Sequence, residues 1–324
     1  MAQALGSRTS LQFVEEVTYG TTPVAPGAGS CFKIPFTSES LAQEIANFVS
    51  QEIRADRTVP YVVQGNKRVQ GQINIELGSD SHARLIKHAL GPTVATAGGG
   101  PYTHIIKGQN VLPVGFTLEK AFNDLGQFFL YKGCKINRLT MNFPQEGFIT
   151  ASVDILGREE TTSGATIQAS PTSYSEDPYT SFEAVLSEAT HGVSFASLAT
   201  VQAASFSLVN GIKEDNFVIG DRRRYTEPEG RRVITGQLTV FFEDLTLYNK
   251  FVNGTTAKLL IVATKGTNTF TVYFPKVVYA GASPTPRIPN DGPMVLTMPF
   301  QAVYDSAENT DIKFTFVNDV ATIA

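Results

Sequence analysis

The chain has 324 residues, of which 42% are hydrophobic and 17% charged. That balance excludes general disorder and allows one large or two medium domains, each able to bury a core. The formal net charge of −4 argues against a protein that clamps nucleic acid along its phosphates, which takes clustered Lys and Arg. No apolar run reaches the roughly 18 residues of a membrane span, so no membrane partner is expected.

Taken in order, residues 1–30 read as an N-terminal arm. The opening MAQALGSRTSLQFVEE lacks the basic-then-apolar order of an export signal, so none is expected. The Gly/Pro/Thr stretch TYGTTPVAPGAGS that follows is loop or extended chain, too poor in apolar residues to fold alone. It is expected to lie against another subunit or the domain body. CFKIPFTSESL is an alternating strand broken at Pro35. Cys31 and Cys134 form no CxxC spacing and read as buried, reduced thiols of a cytoplasmic protein.

Residues 56–75, DRTVPYVVQGNKRVQGQINI, then return as residues 221–240, DRRRYTEPEGRRVITGQLTV. At one fixed offset Asp56 falls on Asp221, Arg57 on Arg222, Gly65 on Gly230, Gly71 on Gly236 and Gln72 on Gln237. Ile73 and Ile75 meet Leu238 and Val240 in an alternating run that puts one face toward a core. A glycine inside such a strand, as at Gly71, marks a bulge or a close backbone approach. The unit is about half the chain, far longer than the roughly 20–50 residues of a solenoid repeat, so two copies of a domain is the reading. The alternative is a chance match between two hairpins rich in turn residues. In this reading residues 54–63 and 68–77 are the arms of a hairpin turning at Gln64-Gly65-Asn66. The second hairpin turns at Pro228-Glu229-Gly230, and both tips project.

The neighbouring elements repeat in the same order. A helix capped at Ser79 or Asp80, with an apolar face of Ala83, Ile86, Ala89 and Leu90, stops at Gly91-Pro92. Its counterpart is capped by Asp244, presents Leu245, Tyr248, Phe251 and Val252, and stops at Gly254. A hairpin and two further strands follow in each half. Phe128 and Tyr131 match Phe270 and Tyr273. The boundaries are therefore an arm at 1–30, a first copy at 31–160, a polar Ser/Thr-rich linker at 161–180, and a second copy at 181–324. The fold class is mainly β, with one short helix per copy.

Chemistry is harder to find. The four histidines do not cluster; His82 and His88 are on one helix but off ligand spacing. No GxSxG, HExxH, Walker A or GxGxxG pattern is present, and Gly98-Gly99-Gly100 reads as a flexible loop. The acidic pairs Glu15-Glu16 and Glu159-Glu160 read as solvated. No catalytic residue, cofactor or metal site is expected. The strongest charge feature is basic: Arg222-Arg223-Arg224 and Arg231-Arg232, with Lys67 and Arg68 in the first copy. Without stacking aromatics beyond Tyr225, these favour a protein partner with an acidic face over DNA.

The segments EEVTYGTTPVAPG, PFTSESL and SQEIRADR, then QGNKRVQGQINIEL, the capped helix and the all-β remainder resemble the tail tube (major tail) proteins of long-tailed bacteriophages. The resemblance covers most of the first copy and, weakly, the second. It implies tandem tail-tube-type β-sandwich/barrel domains, each with a flanking helix. Six such domains make a ring whose strands close an inner barrel, and rings stack into a hollow tube for DNA. With two domains per chain, a homotrimeric, pseudo-sixfold ring is implied. It also implies self-association, a tape measure protein and genomic DNA in the lumen, other tail completion proteins, and assembly in the host cytoplasm into a virion tail. The candidate arms toward the adjacent ring carry Arg54, Asp56, Arg57, Gly65, Lys67, Arg68 and Gly71. Those of the second copy carry Asp221, Arg222, Arg223, Arg224, Gly230, Arg231, Arg232 and Gly236. Glu76 and Asp154 are candidates for the lumen face, although an outward solvated face is equally compatible. Rival readings are an exported β-sandwich adhesin and a polysaccharide-acting enzyme, the latter needing two facing carboxylates.

Overall fold

The computed structural model describes residues 5–323 apart from 25, 27–29, 98, 176, 199, 287 and 289–290. Parts of the expected arm and Gly98 of the glycine run lie outside the described residues. The protein is mainly β. The first half runs β1 (Thr9–Glu15), β2 (Cys31–Ile34), β3 (Ser38–Glu39), β4 (Ala42–Val49), β5 (Val62–Glu76), α1 (Ser81–Leu90), β6 (Thr93–Ala97), β7 (Tyr102–Lys107), β8 (Phe116–Phe122), β9 (Gln127–Phe143), β10 (Thr150–Gly157) and β11 (Glu159–Ser163). The second half runs β12 (Ala184–Thr190), β13 (Ala196–Ser197), β14 (Val201–Val209), β15 (Val233–Phe241), α2 (Thr246–Val252), β16 (Ala257–Lys265), β17 (Asn268–Tyr279), β18 (Val295–Ala302) and β19 (Lys313–Asn318).

One antiparallel sheet crosses the whole molecule in the order β4-β5-β10-β9-β14-β15-β18, with the end of β17 on β18. It consists of two blocks with the same chain order, β4-β5-β10-β9 and β14-β15-β18-β17. They are joined where β9 pairs with β14, from Phe143↔Ala204 to Arg138↔Val209. Two further strand layers cover the other face: β2-β1-β8-β9-β11, and β13-β12-β16-β17-β19-β7-β6. Strands β9 and β17 run through both layers of their halves.

Between the layers lies one continuous apolar core. Alternation supplies it: along β5, Ile73 and Ile75 are buried, while Gln72, Asn74 and Glu76 point to the other face. Leu139, Val153 and Leu208 fill the same layer, and Phe206, Phe270, Phe274, Phe314 and Phe316 stack in the second half. The C-terminal β19 pairs with β7 of the first half as well as with β17, so the halves share strands at a second place.

Several expected boundaries move. Gln64-Gly65-Asn66 is not a turn: it lies inside β5, whose partner is β4, and the loop is residues 50–61. The Phe48 ring lies over Gly65; a Cβ there would sit 2.5 Å from Phe48 Cε2. The second hairpin likewise has no tip at Pro228-Glu229-Gly230; its strands β14 and β15 are linked by residues 210–232. Gly71 marks a close approach, as expected, since a Cβ would meet Leu41 Cα and Ser40 O at 2.6 Å. The second arm of the first half's expected hairpin, QFFLYKG, and the strand after it, KINRLTMNF, fuse into the single β9. Part of the 1–30 arm is β1, embedded between β2 and β8. The 161–180 linker begins in β11 and then lies along the first half, where Lys33 N–H donates to Thr172 O and Ile149 N–H to Tyr179 O.

The acidic pair Glu15-Glu16 is not solvated. Glu16 is buried and accepts from Thr117 Oγ1 and from the backbone N–H groups of Gly20 and Gly133, while Glu15 pairs with Lys87. His82, His88 and His104 are buried. Cys31 and Cys134 are buried free thiols.

Candidate assembly surfaces

The uncovered face of the long sheet is the first candidate surface. Its side chains are those left over by the alternation that fills the core. They are Gln70, Gln72, Asn74 and Glu76 on β5; Thr150, Ser152 and Asp154 on β10; and Arg138, Thr140 and Asn142 on β9. Across the junction they continue as Ser205, Ser207 and Val209 on β14, Val233, Thr235, Gln237 and Thr239 on β15, and Val295, Thr297, Pro299 and Gln301 on β18. None of these is fully buried. Thr, Ser, Gln and Asn dominate, with Glu76, Asp154 and Arg138 the charged members of this set. Gln72 Nε2 donates to Asp154 Oδ1 at 2.7 Å, and Arg138 lies 3.7 Å from the same carboxylate. Both residues expected to face a lumen, Glu76 and Asp154, thus share one face, opposite Ile73 and Val153.

The two loops are the second candidate surface, and they are matched in construction. Phe48 pairs with Val63, and Lys213 N–H donates to Pro228 O, at the same offset as the sequence repeat. In the first loop Asp56 Oδ1 accepts from Thr58 N–H at 3.1 Å; in the second Asp221 Oδ1 accepts from Arg223 N–H at 2.9 Å. Side-chain hydrogen bonds from Thr58 and Arg223, with these backbone ones second, hold both carboxyls below the usual range, Asp221 at about 2. Each loop ends in an exposed apolar tip: Ile53 is 97% exposed, and Ile219 is fully exposed.

Their surroundings differ. Arg54, Asp56 and Arg57 are exposed. The second loop does not project as a whole; its shaft packs along the first half. Arg222 Nε donates to Gly65 O and Lys67 N–H donates to Arg222 O, both at 2.8 Å. Arg224 is entirely buried, donating through Nη1 to the carbonyls of Val69 and Gly157 at 2.8 Å and through Nε to Glu214 O at 2.9 Å. Burial pushes the neighbouring Glu227 carboxyl up to about 8 against the pull of Arg224 and Lys135.

Three further arginines of the candidate arms meet carboxylates within the chain. Arg68 pairs with Asp215 at 2.6 Å, Arg223 with Glu159 at 3.0 Å and with Asp221 at 3.1 Å, and Arg232 with Asp311 at 2.7 Å. Arg231 is exposed. Gly230 is a close-approach position where a Cβ would collide with Gly211 O, and Gly236 one where it would meet Ser205 O at 2.6 Å. The inward role of Arg224 had no sequence signal beyond its place in an arginine run. The exposed tips came close to having one: the repeat offset carries Ile53 onto Val218, one residue before Ile219.

Among the described residues no group of three or more His, Cys, Asp or Glu is placed to hold a metal ion. Among them, too, no helix is long and apolar enough to cross a membrane.

A two-layer β structure whose widest sheet leaves one face uncovered and polar is built as a wall rather than around a pocket. The profile of the phage tail tube protein family matches residues 6–302, and the chain belongs to that family. It is thereby a structural component of the virion tail. No curated protein matches the chain.

Proposed function

We propose that the chain carries two copies of a tail tube domain and closes head-to-tail into a three-chain, pseudo-sixfold ring. Rings stack into the tube through which the genome leaves the virion. The observation that carries this reading is the β9–β14 pairing, in which the last strand of one block meets the first strand of an identically ordered block. The same step between chains would bring the end of β17, with residues 280–285 that follow it, to β3 and the start of β4 of the next copy. It would continue one sheet around the ring and pair its exposed edges.

The uncovered Thr/Ser/Gln/Asn face then lines the lumen, with Glu76 and Asp154 on it. Such a surface lacks the clustered cations that bind phosphates, so DNA slides past without the ion release that makes protein–DNA contacts tight. The tape measure protein occupies the same channel before the genome, and assembly takes place in the host cytoplasm with other tail completion proteins. The tips at Ile53 and Ile219 reach the adjacent ring, where apolar burial contributes about 1.5–3 kcal/mol per side chain. This wall needs no catalytic residue.

Native mass measurement or image classification of assembled rings tests the reading. Three chains per ring is the expected result; a stable ring of six chains overturns the two-domain arrangement.

A further inference from the structure

We propose that the exposed turn Asp56-Arg57 is a clasp between chains, docking on the stretch 230–232 of a second copy within the same ring. The inference rests on the ring reading above and names the surfaces that close it. Within the chain, the second-half residue Arg222 occupies the free edge of β5 beyond the end of β10. Its side chain donates to Gly65 O and its carbonyl accepts from Lys67 N–H, both at 2.8 Å. The sequence offset that carries Asp221 and Arg222 onto Asp56 and Arg57 also carries Gly65 onto Gly230 and Lys67 onto Arg232.

Each half-to-half step of the ring must repeat the same geometry. In the step within the chain, the donor loop belongs to the second half and the receiving edge to the first. In the step between chains, the donor loop belongs to the first half of one copy and the receiving edge to the second half of its neighbour. Arg57 then donates to the neighbour's carbonyl at position 230 and accepts from its N–H at position 232.

The first loop is already shaped for this. The Asp56–Thr58 hydrogen bond reproduces the Asp221–Arg223 bond that presents Arg222, and the equivalent pairs Phe48↔Val63 and Lys213–Pro228 set both loops at the same distance from their turns. Arg57 is exposed in the single chain, so its contacts are available for a partner. The conformational cost of ordering the segment on binding is reduced accordingly. The second loop's shaft works in cis and the first loop's shaft in trans, while both tips stay outside the clasp.

Paired cysteines in the full-length chain test this, with Cys31 and Cys134 left in place because both are buried. A backbone hydrogen bond brings two Cα atoms into the range a disulfide spans. Arg222→Cys with Lys67→Cys is the internal control and closes within one chain. Arg57→Cys with Arg232→Cys is expected to link different chains on oxidation of assembled rings, giving a denaturing-gel ladder that stops at three chains. Arg57→Ala, which keeps the receiving edge intact, is expected to leave the melting temperature of the unassembled chain unchanged. It should raise the concentration needed for ring formation about tenfold, the loss of one charge-assisted hydrogen bond. Rings that form normally by electron microscopy, with no interchain link and no effect of Arg57→Ala, overturn the clasp and leave the ring reading standing. A ladder running past three chains places the turn between rings and overturns it as well. Failure of the parent chain to form rings overturns both.

Discussion

The two helices follow the same sequence grammar and end in opposite surroundings. Every residue of α1 is buried, Lys87 and His88 included. Its own half packs on it through β9, β2 and β7, and the second half adds hydrogen bonds: Asn210 Nδ2 donates to Ala89 O at 2.9 Å, and Arg84 donates to Thr322 O at 2.8 Å. No residue of α2 is fully buried, and Val252 beyond its middle turn is 59% exposed. The same contrast holds between the receiving edge of β5, filled by Arg222 and Arg224, and the exposed turn at Asp56-Arg57. The lesson is that the first half has a neighbour inside the chain. An amphipathic pattern fixes which side of a helix faces its own sheet, while the cover on the other side depends on what is placed next to it.

Removing the inward arginine is the strongest way to break the contrast. Arg224→Ala strands the carbonyls of Val69 and Gly157 in the interior, and at about 1–3 kcal/mol for each orphaned group the expected loss is about 3–5 kcal/mol in denaturant unfolding. A loss below about 1 kcal/mol would mean that the second loop does not hold the first half. Asn210→Ala removes the donor that bridges Ala89 O and Ile136 O, both at 2.9 Å. The expected cost is about 1–3 kcal/mol, read as a lower denaturation midpoint.

Glu227 sharpens the picture through pH. Its folded value of about 8 lies above the ordinary 4.5, so the folded chain holds a proton that the unfolded chain releases between those values. Stability is fully present below the lower value and falls as pH rises toward the upper one. Glu227→Gln should flatten that decline between pH 5 and pH 8, by about 3–4 kcal/mol at most. An unchanged pH profile would assign the decline to other groups. The smallest effect belongs to the open side: Val252→Ser should shift the stability of the isolated chain by no more than about 0.5 kcal/mol. A larger shift in melting temperature would show that α2 already has its cover.

Much of this layout was legible in the sequence because it rests on local rules. The alternation at Ile73, Ile75, Leu238 and Val240 gave the buried face of both central strands. The glycines at positions 71 and 236 marked close approaches, and both helices lie near their expected starts and stops, although the N-cap of α2 is Leu245 and Asp244 precedes it, accepting from Thr246 N–H at 2.7 Å. What misled was chemistry with two meanings. Gln64-Gly65-Asn66 has turn composition, but its glycine makes room for the Phe48 ring. An arginine run reads as a solvated surface, yet Arg224 faces inward because carbonyl oxygens of three separate segments converge on it. Such convergence depends on contacts between distant residues and leaves no periodic trace.

Strand β9 has a consequence for how the chain is made. It pairs with β8, β11 and β10 from the first half, but its remaining edge is satisfied only by β14, residues Val201–Val209. On a ribosome, the first half therefore emerges with an open strand edge until residues beyond 201 have been synthesised. That edge holds the same place in its block as the one proposed to join neighbouring chains. Nascent copies on one message would be able to pair across it prematurely, and the time taken to translate the intervening segment sets the length of that exposure.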